Sequence, residues 1–121
     1  MIPSTRVLIA LLCVSLVTRA ALAAEPLDQT INYLFDYVAK SDATFIRNGT
    51  SHTPAEAVEH IKAKYEHFKP QIKTPEDFIR LSASKSLMTG KPYLVRTTDG
   101  KEMPLEAWLT EALKARRAES H

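Results

Sequence analysis

Two threonine-proline starts, Thr53-Pro54-Ala55-Glu56 and Thr74-Pro75-Glu76-Asp77, constrain the fold of this chain most strongly. An N-cap threonine accepts a backbone N–H that the first helical turn cannot use. Proline suits the first helical position, and an acid in the first turn answers the remaining free N–H groups. Each start therefore opens a helix. The first runs to about Phe68 with Val58, Ile61, Tyr65 and Phe68 as its core face, and Pro70 closes it. The second carries Phe78, Ile79, Ala83 and Leu87 and is stopped by Gly90 and Pro92.

Around this pair the pattern supplies the rest of a small domain. Leu27, Ile31, Leu34, Phe35 and Val38 recur at helical spacing, which predicts an amphipathic helix over 27–41. Thr44-Phe45-Ile46-Arg47 reads as a short strand ending at the Asn48-Gly49 turn. Residues 93–97 alternate like a strand, Asp99-Gly100 is a hairpin turn, and residues 101–103 return antiparallel. Leu105, Trp108, Leu109, Ala112 and Leu113 mark a last helix, with Arg116 and Arg117 near its C-terminal end, where cations oppose the helix dipole. The expected fold is α+β: four helices on a two- or three-stranded antiparallel sheet, with residues 44–47 as the third strand.

The N-terminal end reads as an export leader covering residues 1–23. Arg6 gives a positive start, Val7 to Val17 form an apolar run, and Ala21-Leu22-Ala23 offers the small residues a signal peptidase inspects. The run is well short of the ~20 apolar residues needed to cross a bilayer, so stable membrane insertion is not expected. Cys13, the only cysteine, lies inside that run, so the domain over 24–121 holds together by core packing without a disulfide. At about 100 residues, one core suffices. Arg6 and Arg19 leave with the leader, so the excess of 16 basic over 14 acidic residues disappears. A near-neutral domain with interspersed charges has no nucleic-acid footprint.

The centre of the chain is similar to a known pattern. Phe45-Ile46-Arg47-Asn48-Gly49, His52, Glu56-Ala57, His60-Ile61, Lys64, Thr74, Glu76, Phe78-Ile79, Ala83-Ser84, Ser86 and Thr89-Gly90-Lys91-Pro92-Tyr93 resemble the YfeK-like family of small exported bacterial proteins, a domain of unknown function. The resemblance covers about residues 44–96. It implies a bacterial envelope setting, the periplasm, and one domain behind a signal peptide, and it names no activity. Family members often carry a cysteine near the Arg-Asn-Gly turn. Ala43 and Pro54 stand at the comparable places here, which argues against a redox role.

No residue set spells out catalysis, and no cofactor is expected. The reading preferred from the residues is a non-catalytic binding or interaction module, with Arg47, Asn48, His52, His60, Lys85, Lys91 and Tyr93 as a polar surface for a protein or small anionic ligand. Arginine at a turn binds carboxylate or phosphate with two prongs, although Arg47 paired internally with Glu56 or Glu76 is the plainer expectation. The exposed turn Thr89–Tyr93 offers a charge at Lys91 and an aromatic edge at Tyr93. The alternative is an envelope metal-binding protein or hydrolase using His52, Glu56 and His60, whose four-residue spacing places side chains on one helical face. Against it, Glu56 stands where a capping box wants a carboxylate. Ser82 and Lys85 match the serine-lysine spacing of penicillin-recognising enzymes, but the chain is too short for that fold. Tyr33, Tyr37 and Trp108 read as core.

Overall fold

A computed structural model of the chain describes residues 25–119. The leader and its Ala23 cleavage point lie outside the described residues. The order is α1 (Leu27–Lys40), β1 (Thr44–Arg47), β2 (Thr50–His52), α2 (Pro54–Phe68), a 3-10 turn (Lys69–Gln71), α3 (Pro75–Ser82), β3 (Leu94–Arg96), β4 (Glu102–Pro104) and α4 (Leu105–Glu119). This is the expected α+β class. No helix among the described residues is long and apolar enough to cross a membrane.

The sheet is larger than the sequence pattern suggests. Four antiparallel strands lie in the order β2-β1-β3-β4, so β1 is central rather than an added edge. The extra strand comes from the turn. Asn48 and Gly49 both adopt positive φ, 51° and 80°, the mirror-image geometry whose twist matches that of the flanking strands. The chain therefore doubles straight back, pairing Arg47 with Thr50 and Phe45 with His52.

Both helix starts form reciprocal capping boxes. The Thr53 hydroxyl accepts from the Glu56 N–H while the Thr53 N–H donates to Glu56 Oε1 at 2.9 Å; Thr74 and Asp77 repeat the arrangement. Each cap contributes about 1 kcal/mol. At its other end α3 is shorter than expected. It stops at Ser82, and Leu87, read above as core, is 66% exposed on a loop. Serines redirect the chain here. Ser84 Oγ turns back onto the Arg80 carbonyl, and Ser86 Oγ accepts from the Met88 and Thr89 N–H groups, local bonds that compete with a helical ladder. A bridge between Lys85 and Pro92 then closes the loop over 83–93.

Ile31, Leu34 and Val38 of α1, Phe78 and Ile79 of α3, and Leu109 and Leu113 of α4 meet in the core with Phe45 and Val95 of the sheet. Phe78 takes Phe35 and Tyr65 edge-on, with ring centroids 5.2 and 5.6 Å away. Trp108 is buried as expected, against Phe45 at 5.7 Å and under Tyr37 at 4.6 Å. Arg117 fastens the helix ends together by binding Glu25 and Glu76, its nearest contacts being 2.9 and 2.7 Å. These pairs hold both carboxyls below their usual range.

Candidate functional site

Side chains alternate along a strand, so Phe45 and Arg47 share the face of β1 that turns toward the helices. Phe45 is buried there. Arg47, two residues on at the strand's end, passes the core and meets α2, where its Nη1 lies 2.8 Å from each ring nitrogen of His60. His60 Nε2 is in turn 3.0 Å from the Tyr93 hydroxyl, which stands just ahead of β3. One helical turn beyond His60, Lys64 donates to the same hydroxyl at 3.2 Å and to the Lys85 carbonyl at 2.6 Å. Its ammonium also lies 4.8 Å from the centre of the Tyr93 ring.

Arg47, His60, Tyr93 and Lys64 thus form one connected cluster whose charged members are both cations. Among the described residues no carboxylate lies within ion-pair distance of Arg47 or Lys64. Glu76 is engaged by Arg117, and Glu56 answers its own cap and His52, so neither pairs with Arg47 as expected above. Burial, reinforced by Arg47 and Lys64, pushes the His60 pKa down and favours the neutral imidazole. Lys64 is pushed down by burial and then by Arg47 and Lys85. Burial raises Tyr93, and Arg47 opposes part of that rise.

A cleft of about 300 Å³ opens beside the cluster. Arg47, His52, His60 and Tyr93 line it together with Glu56 and Glu59 of α2, and Phe45, Ile61, Leu94 and Leu105 give it apolar surface. Four of the seven candidate binding residues named from sequence therefore converge. Asn48, Lys85 and Lys91 do not line it. Asn48 instead fastens the hairpin to the 83–93 loop, donating to Ser86 Oγ at 3.3 Å and accepting from Thr89 Oγ1 at 2.6 Å. Lys85 and Lys91 are exposed on that loop. Tyr93 is not the exposed aromatic edge expected above but is 5% exposed, drawn inward because its N–H and carbonyl bond to Ser84 and Leu105.

The other sequence motifs separate. His52 Nδ1 lies 3.6 Å from Glu56, but His60 turns to Arg47 and Tyr93. Among the described residues no three imidazole or carboxylate groups are arranged to hold a metal ion. Ser82 is fully buried with its hydroxyl unpartnered, whereas Lys85 is exposed, so the pair has no serine-lysine geometry. Sequence reasoning gave Lys64 no site role. Its signal was a charge on the stripe that also carries Ala57 and Ile61, both buried; Lys64 is itself 8% exposed.

Comparison with known proteins agrees with the resemblance carried by residues 44–96 and extends it. The chain is 45% identical over 64 residues to the uncharacterised protein YfeK of Salmonella typhimurium. That alignment covers 52% of this chain and 53% of the relative, so the match spans about half the relative's length. No solved structure matches. Residues 25–117, nearly all of the described domain, match the family described as "Family of unknown function (DUF5329)", and the chain belongs to that family.

Proposed function

We propose that this protein is a non-catalytic binding module of the bacterial periplasm, exported behind a cleaved leader, whose cleft receives the anionic group of a small ligand. One observation carries the reading: Arg47 and Lys64 are brought together, half-buried and buried, with no carboxylate in ion-pair reach of either among the described residues. Cations held out of water without a counter-charge cost stability unless something else compensates. A guanidinium lining a cleft is suited to a carboxylate or phosphate oxygen, and a bound anion relieves the repulsion between Arg47 and Lys64. The neutral His60 and the Tyr93 hydroxyl add polar contacts without adding charge.

Titration calorimetry of the purified protein with acetate and with inorganic phosphate tests this. Binding is expected to weaken about tenfold or more in Arg47→Ala, the size of one lost charge-assisted hydrogen bond. Identical heats from the wild type and Arg47→Ala would remove Arg47 from the site. Export has its own check. Mass analysis of protein released from the periplasm is expected to show a chain starting at Ala24, and a chain retaining Met1 would refute cleavage.

A further inference from the structure

We infer that the cleft takes a ligand carrying both charges, a short peptide or amino acid with free amino and carboxyl ends and an apolar side chain; this rests on the anion-binding reading above. The cleft wall has two poles. Arg47 is the positive one. Glu59, exposed on α2 beside His60, lines the same cavity, and its carboxylate makes no hydrogen bond or ion pair with another described residue. Glu56, also on the wall, is engaged through Oε1 by the Thr53 N–H and by His52.

Elsewhere in this protein Arg117 reaches two carboxylates at once, Glu25 and Glu76. Arg47 pairs with neither Glu56 nor Glu59, although all three line one cleft of about 300 Å³. A simple anion such as phosphate answers only Arg47 and meets repulsion from the two glutamates. A zwitterion answers both poles, its carboxylate on Arg47 and its ammonium toward Glu59. Phe45, Ile61, Leu94 and Leu105, which line the same cleft, offer apolar surface to a side chain. The volume suits a molecule of dipeptide size and is too small to take a folded partner.

The test is calorimetry of the purified protein with four probes: the dipeptide Ala-Leu, its N-acetyl form, its C-terminal amide, and inorganic phosphate. The free dipeptide is expected to bind tightest. N-acetylation is expected to weaken it about tenfold, the scale of one charge-assisted contact, and Glu59→Gln to erase that difference. Amidation, like Arg47→Ala, is expected to weaken binding about tenfold or more. If the acetylated peptide or phosphate binds as tightly as the free dipeptide, the acidic pole has no role and this inference fails, while the anion reading stands. If phosphate fails to bind and the free dipeptide binds no better than its amide, the anion reading itself fails.

Discussion

Replacing Phe78 by alanine is expected to destabilise the protein by about 3–5 kcal/mol, the range for deleting a buried phenyl ring. The ring is 1% exposed and sits at the junction of three helices, edge-on to Phe35 of α1 and to Tyr65 of α2. Neither neighbour can swing in to fill the void without giving up its own packing. A domain of this size has a total stability of roughly 5–15 kcal/mol, so the variant should stand close to unfolding. Urea denaturation followed by Trp108 fluorescence measures the effect. A midpoint unchanged from the wild type would mean that the three helices do not meet on this ring.

Lys64 gives the second large effect. Truncation to alanine should cost about 2 kcal/mol, because it leaves the Lys85 carbonyl without its donor, removes a partner of the Tyr93 hydroxyl and opens a gap along the buried stem. Lys64→Met loses the same two bonds but keeps the stem and discards the repelled charge, so it should cost less than Lys64→Ala. The pH dependence separates charge from packing. The folded state binds the Lys64 proton less tightly than the unfolded chain, whose value is near 10.5. The unfolded chain therefore holds more protons between the depressed folded value and 10.5, and wild-type stability rises with pH through that window. Below the window the burden is full. Lys64→Met lacks this term, so its deficit against the wild type should widen as pH climbs from neutrality toward 10.5. A constant deficit over that range would show that the ammonium pays no desolvation penalty in the fold.

Residues whose local chemistry leaves the backbone few choices made much of the fold legible in the sequence. Thr53-Pro54 and Thr74-Pro75 placed two helix starts correctly, and the apolar spacing from Leu27 to Val38 placed α1. Thr50-Ser51-His52 carries no apolar residue, so its strand has no hydrophobic signature and exists because the Asn48-Gly49 turn returns the chain along β1. Leu87 misled because helical spacing continues past Ser82 while the serines that end the helix act through side-chain bonds, which spacing does not encode. The site divides in the same way. Arg47 and His60 are conspicuous as residue types, yet their contact depends on the β1 register and on where α2 lies across the sheet. Lys64 was hidden because a lysine at a stripe position reads as solvated until a carbonyl and a hydroxyl are seen to receive it.

The central place of β1 bears on how the protein comes together. Its partner β3 is about fifty residues away along the chain, and Phe45 meets Val95 only after α2, α3 and the 83–93 loop have been enclosed. Closing so long a loop costs more entropy than closing the local β1–β2 hairpin, so this pairing is the less favourable of the two to begin. Arg47 arrives on one side of that closure and Tyr93 on the other, so the joined cleft requires it. A chain in which β1 and β3 have not paired therefore carries the α2 wall of the cleft, with Glu56, Glu59 and His60, but has not yet brought Arg47 and Tyr93 to it.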